Sequence, residues 1–366
     1  MASQFRIPVA RPLMPKLEAI APYLARIDAN RWYSNLGPLC LEFEARLAER
    51  FGLGADQLST ISNATVGLVL ALQTARPQPG SHCLVPSWTF SASIHAVLGA
   101  GLIPLFADCD GDGLLTPEIA RRALADRGGD IGAVMPVAVY GQPIDPVIWD
   151  AFAEETGTPV VLDVAPGYDA ARPARCLSVV SLHATKIIGV GEGGFVMSTD
   201  AALVQEVRQR GNFGFRVSRD PEFAGTNAKL SEYAAAVGLA GLDDWQGRRA
   251  GFQAVADRYL EGLANLPGAR LASGFGETWL AASCVLETET DAARLAASLA
   301  GAGVESRAWW GRGMHLATAF KTYPRLALPT TERLADSTLG LPFAMDMPGG
   351  DVDAVCGALR DALIGA

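Results

Sequence analysis

Between residues 55 and 198, short apolar runs alternate with stretches whose apolar positions recur at helical spacing. Residues 65–75 (TVGLVLALQTA) predict a helix, as do 91–100, 116–124 and 146–156. Between them, residues 82–86, 103–106, 131–139 and 159–163 predict short strands. Residues 175–182 predict another strand, and the glycines at 191–194 a tight turn into a last one at 195–198. A strand that is apolar throughout, without polar alternation, is buried on both faces. The rhythm therefore predicts an α/β chain with a mostly parallel, doubly wound sheet covered by helices. Ligands of such sheets bind at the carboxyl ends of the strands.

After about residue 231 the pattern changes. Residues 232–242 form a small-residue helix and 243–266 a long amphipathic one that stops at Pro267-Gly268. An apolar run at 279–286 and helices at 291–302 and 351–364 complete the chain. These elements predict a smaller α+β domain, so the expected division is 1–240 for a large domain and 241–366 for a small C-terminal one. Residues 301–342 carry no readable period, and no internal repeat or low-complexity segment is visible.

Composition narrows the picture. A chain of 366 residues with 49% hydrophobic positions has ample material for a buried core. The net charge is −9 and no segment clusters lysine with arginine, which argues against a nucleic-acid partner. The first fifteen residues lack a basic start followed by an apolar core, and the apolar stretches are too short to span a bilayer. A cytoplasmic protein without a membrane anchor is expected. The six cysteines are scattered with no CxxC pair and the four histidines are dispersed, so neither a disulfide framework nor a metal site is expected.

Candidate chemistry centres on Lys186, in Ser181-Leu-His-Ala-Thr-Lys186 between an apolar strand and the Gly191-Glu-Gly-Gly194 turn. Desolvation in such a setting lowers an amine pKa and makes it a better nucleophile toward an aldehyde. Asp163 ends the strand at 159–163, at the ligand edge of the sheet. It reads either as a cap or ion-pair partner, or as a carboxylate facing a cation such as a protonated pyridine nitrogen. Ser62-Asn-Ala-Thr65 opens a helix and reads as plain capping or as an anion site. Phe90, just past a strand end, reads as core or as a stacking ring, and Trp309 and Trp310 pose the same choice. Asn227, in a polar loop, is a turn residue or a donor to a phosphate. A pyridoxal phosphate site needs this combination: phosphate donors, a stacking ring, an acid for the ring nitrogen and a lysine for the aldehyde.

In this order the segments resemble the DegT/DnrJ/EryC1/StrS family of pyridoxal-phosphate-dependent sugar aminotransferases. The resemblance runs from Trp32-Tyr-Ser-Asn-Leu-Gly-Pro38 through Ser62–Leu68, Pro86–Phe90, Val139–Pro143, Asp163-Val-Ala165, Ser181–Gly194 and Gly225-Thr-Asn227 to Leu341-Pro342. It implies a fold type I transferase, active as a homodimer with shared sites. Lys186 is then the Schiff-base lysine and proton shuttle, and Asp163 the pyridine-nitrogen partner. Ala64, Thr65 and Ser181 contact the phosphate, Asn227 reaches it from the neighbouring subunit, and Phe90 stacks on the ring. The implied reaction moves an amino group from L-glutamate to a keto carbon of a nucleotide-linked deoxysugar, for polysaccharide or secondary-metabolite synthesis. Tyr33, His183, Lys229 and His315 are the candidate substrate contacts, each equally readable as a structural polar residue. Two alternatives stay open. One is a pyridoxamine-dependent sugar dehydratase, against which the retained Lys186 argues, since those relatives carry histidine there. The other is a catalytically silent cofactor-binding regulator, favoured by Pro166, which replaces the Gln or His that relatives commonly place near the cofactor's ring hydroxyl.

Overall fold

The computed structural model describes residues 5–364. The first four residues of the stretch read as free of a leader lie outside it. Among the described residues, seven strands build the main sheet: β1 (Leu58–Ile61), β2 (His82–Pro86), β3 (Ile103–Ala107), β4 (Ile131–Val134), β5 (Val161–Asp163), β6 (Leu177–Ser181) and β7 (Gly194–Met197). They pair as β3-β2-β4 and β5-β6-β7-β1, and the bridges Val134–Val160 and Val137–Asp163 join the two sets between β4 and β5. All pairs are parallel except those of β7, which runs antiparallel to both β6 and β1. The mostly parallel sheet is thus present, with one reversed strand.

Among the described residues, nine helices precede or flank this sheet: α1 (Leu17–Asn30), α2 (Pro38–Arg50), α3 (Ala64–Thr74), α4 (Ser91–Gly99), α5 (Pro117–Arg127), α6 (Pro146–Thr156), α7 (Ala201–Arg210), α8 (Glu232–Asp243) and α9 (Trp245–Leu263). Successive strand residues point to opposite faces, and they divide into two cores accordingly. Leu58, Leu84, Val180, Phe195 and Met197 pack with Phe43 of α2, Trp149 of α6 and Leu239 of α8. Ile61, Val85, Val179 and Val196 pack with Leu68 of α3, Ile94 of α4 and Val204 of α7. Apolar strands with no polar face are the consequence of this two-sided cover.

Beyond α9 the strands β8 (Ala269–Leu271), β9 (Cys284–Thr288) and β10 (Thr338–Leu341) form an antiparallel sheet in the order β10-β9-β8. The helices α10 (Ala292–Gly301), α11 (Pro329–Ser337) and α12 (Gly349–Ile364) accompany it. The N-terminal segment joins this end of the chain, where Ile7 pairs with Val304 and Ala10 with Phe343. Several boundaries differ from the periodicity, for local reasons. The strand expected over 131–139 ends at Val134, because Pro136 has no N–H to give the ladder. The helix expected to reach 266 stops at Leu263, short of Pro267, which disfavours helical geometry in the residue before it. The unreadable stretch at 301–342 spans both sheets: Met314 N–H donates to Ser87 O, Leu326 N–H to Phe106 O, and Arg307 pairs with Gly340.

Candidate active site

β6 and β7 are joined by a loop instead of a crossover helix, and this decides where Lys186 lies. A crossover would carry the chain to the far edge of the sheet, whereas a loop between antiparallel neighbours stays at the carboxyl end of β6. The loop is fastened by Leu182 N–H to Gly193 O (2.9 Å), Ala184 N–H to Gly191 O (2.8 Å) and Val190 N–H to Leu182 O (2.8 Å). Gly191 adopts φ +94°, a conformation open to glycine at little cost. Lys186 therefore shares the strand-end edge with Asp163, the last residue of β5.

Both groups line a cavity of about 480 Å³. Asp163 is only 4% exposed. Burial pushes its carboxyl above the usual range, while the Ser93 hydroxyl, the Ala165 N–H and the charge of Lys186 pull it back. Burial likewise pulls the Lys186 amine below its ordinary value, and Asp163 opposes that shift. Ser93 Oγ donates to Asp163 Oδ2 at 2.7 Å, and Ala165 N–H donates to Oδ1 at 3.1 Å. Ser93 Oγ also shares a 2.7 Å hydrogen bond with Thr89 Oγ1.

The N-terminus of α3 forms another part of the wall. Asn63 caps it by accepting from Val66 N–H at 2.9 Å, and the Gly67 N–H is taken by Asn63 O. Among the described residues, the N–H groups of Ala64 and Thr65 make no hydrogen bond, and both residues line the cavity. Asn63 therefore caps the helix, while the Ala64 and Thr65 amides stand unpaired at its positive end. Ser181 and Phe90 complete the set, the latter 62% exposed although apolar. Donors for a phosphate, a ring to stack on, a strand-end carboxylate and a desolvated amine thus meet in one space, and the donor set fits pyridoxal phosphate. Pro166 is on the wall too, and its carbonyl lies 3.0 Å from where a Cβ on Gly141 would stand.

Other candidates lie elsewhere. His183 lines the cavity, its Nδ1 bonded to Thr185 Oγ1 at 2.8 Å and its Nε2 3.6 Å from Glu192. His315 is not brought to the wall. It is 2% exposed, bonded through Nδ1 to Ser87 Oγ at 2.7 Å and edge-on to Phe106. Tyr33 stacks on Tyr233 (6.3 Å, 16°), and the Lys229 amine sits 4.5 Å over the Phe213 ring. Asn227 is exposed, pairs with Asn212 and does not face this cavity. Sequence reasoning passed over Thr89, Ser93, Tyr140, Glu192 and Arg307, all on the wall. Ser93 lies three residues after Phe90, one helical turn on, and that spacing was the available signal. Arg307 had none, because its neighbourhood carries no period. Among the described residues, no group of three or more His, Cys, Asp or Glu is placed to hold a metal.

A sheet of this order, with a lysine and a carboxylate at its carboxyl edge, defines a fold type I protein, the scaffold of pyridoxal-phosphate-dependent aminotransferases. More narrowly, the chain belongs to the DegT/DnrJ/EryC1/StrS aminotransferase family, whose profile matches residues 16–360. It is 30% identical to a dTDP-3-amino-3,4,6-trideoxy-alpha-D-glucose transaminase of Streptomyces venezuelae, the match covering 96% of each chain. Among solved structures it is similar to DesI, determined in the presence of its TDP-sugar product (32% identity, TM-score 0.88, covering all of this chain and 94% of the other). It is also similar to a PLP-dependent aminotransferase, described as putative, from Bacillus cereus ATCC 10987 (27% identity, TM-score 0.90, covering 96% of this chain and 99% of the other).

Proposed function

We propose that this chain is a pyridoxal 5′-phosphate-dependent aminotransferase that takes an amino group from L-glutamate and places it on a keto carbon of a nucleotide-linked deoxysugar. The observation that carries the reading is the meeting of Lys186, Asp163 and the free amides of α3 in one cavity. The sugar-nucleotide transaminases among its relatives support the acceptor class. When bound, the cofactor supplies an electron sink for the substrate carbon.

The chain's own residues do the rest. Lys186 would hold the cofactor through its amine and would carry the proton to and from the substrate carbon. Its lowered pKa keeps more of the amine neutral, as a base must be. Asp163, oriented by Ser93 and Ala165, would hold the ring nitrogen through its carboxylate. Ala64 and Thr65 would give backbone N–H groups to the phosphate and Ser181 its hydroxyl, while Phe90 would cover the ring. Asn227, exposed and not on the wall of its own cavity, would serve the phosphate of a neighbouring copy, which makes the working unit a homodimer. Six buried, unbridged cysteines fit a reducing, cytoplasmic setting.

The test is the visible spectrum of the purified, cofactor-loaded protein. L-glutamate is expected to bleach the band of the lysine-bound cofactor, and Lys186→Ala is expected to lack both band and turnover. A band that ignores L-glutamate and L-glutamine would leave another amino donor or a silent binder, the latter being the reading that Pro166 favours. Full turnover by Lys186→Ala would overturn the mechanism.

A further inference from the structure

We propose that Arg307 is the anchor for the oxyanion that each substrate carries away from its reacting carbon, a role that rests on the transaminase reading above. Five formally charged or imidazole side chains line the cavity: Asp163, Lys186, His183, Glu192 and Arg307. Asp163 and Lys186 act on each other. Glu192 repels anions, and His183 is engaged with Thr185 and lies beside Glu192. Arg307 is the permanent cation that remains. Its guanidinium donates no hydrogen bond among the described residues, and its ion partner is Glu305 at 3.8 Å, with 45% of the Arg307 side chain exposed. Five N–H donors in a planar fork are thus open to a ligand.

The fork is held in place. Arg307 N–H donates to Gly340 O at 3.0 Å, and Gly340 N–H donates back at 2.7 Å, which ties its backbone to β10. The guanidinium carbon lies 5.1 Å from the centre of the Trp309 ring. Trp309 in turn occupies the space a side chain at 340 would need: a Cβ there would stand 2.9 Å from its Cδ1. Next along the wall, Trp310 stacks flat on Tyr140 (4.6 Å, 1°) and meets Trp88 edge-on. A rigid aromatic wall carrying one oriented guanidinium selects a carboxylate or phosphate by paired N–H···O bonds, at low ordering cost. In a two-stage transfer through one cavity, donor and acceptor use the space in turn. Both carry an oxyanion: the donor a carboxylate, the nucleotide-linked acceptor a phosphate.

The test uses the cofactor-loaded protein and two unreactive probes, glutarate for the donor's carboxylates and inorganic pyrophosphate for the acceptor's phosphates. Their binding to wild type, Arg307→Gln and Arg307→Lys is read by calorimetry. Arg307→Gln is expected to weaken binding about tenfold or more, as for a lost charge-assisted pair. Arg307→Lys is expected to recover pyrophosphate better than glutarate, since a point charge replaces a planar fork. A loss with both probes supports the anchor, and a loss confined to one probe overturns a role shared by both substrates. Arg307→Gln binding both probes within about twofold of wild type, or a wild type that takes up neither, overturns it. Because binding is read and not turnover, a protein that ignores both L-glutamate and L-glutamine would count against the transaminase reading without deciding this one.

Discussion

Ser93 Oγ donates to Asp163 Oδ2 at 2.7 Å, across the gap between α4 and the end of β5. With the Ala165 N–H on the other oxygen, the carboxylate is held by two donors in a site where burial alone would favour its neutral form. Ser93→Ala is expected to loosen this hold and weaken cofactor retention by about tenfold, the value of a hydrogen bond to a charged group. Ser93→Thr keeps the hydroxyl and is expected to restore it. Cofactor dissociation constants for the three proteins check this, and equal values for Ser93→Ala and wild type would refute it.

The same burial predicts a pH-dependent cost in the cofactor-free protein. The folded pKa of Asp163 is raised above its ordinary 3.8. Below that ordinary value the folded and unfolded chains both carry the proton, and there is no cost. Between the two pKa values only the folded chain carries it, so this residue's contribution to stability falls as pH rises. Asp163→Asn is isosteric, can still accept from Ala165 N–H, and carries no charge. It is expected to raise the Tm of the cofactor-free protein by roughly a few degrees at neutral pH. The gain should vanish in acid below the ordinary carboxylate range. Thermal melts across pH decide it, and a variant less stable than wild type at neutral pH would count against it.

Glu232, fully buried at the start of α8, caps a different helix. Its Oε2 accepts from Leu39 N–H and its Oε1 from Cys40 N–H, both at 2.8 Å. Pro38 has no N–H and Leu41 N–H bonds Gly37 O, so the first turn of α2 is fully satisfied. Glu232→Ala is expected to cost about 3 kcal/mol, because two buried donors lose their partner. Urea unfolding measures it, and a loss below about 1 kcal/mol would show that water replaces the carboxylate.

Gly194 opens β7 directly behind α3. A Cβ at this position would stand 2.8 Å from Val180 O and 3.1 Å from Ala64 N. Both are backbone atoms, which cannot rotate aside. Gly194→Ala is expected to displace the first turn of α3 and lower affinity for the cofactor about tenfold or more, with a smaller effect on the melting temperature. Titration with pyridoxal phosphate beside a thermal melt separates the two effects.

Local signals carried the large sheet far. Uniformly apolar strands, helical spacing in α3, α4 and α6, and the glycine turn before β7 are short-range patterns, and apart from the strand cut short at Val134 each became an element within a few residues of its expected ends. The cavity residues on those elements were legible for the same reason: Asp163 ends a strand, and Ala64, Thr65 and Phe90 sit at or beside helix starts. Residues 301–342 were illegible because hydrogen bonds to Ser87, Phe106 and β10 give that segment its course, and not its own periodicity.

The order of apolar strands, helices and glycine turns determined the doubly wound architecture and put a lysine, an acid and a helix start at strand ends, because backbone periodicity and turn chemistry act over a few residues. Only the tertiary structure decided what faces the cavity. It brought in Ser93, Tyr140 and Arg307 and left His315 buried against Ser87. Those contacts join residues far apart in sequence, from 70 positions for Ser93 and Asp163 to 228 for Ser87 and His315, and their energies come from packing and desolvation that exist only once both sheets are in place.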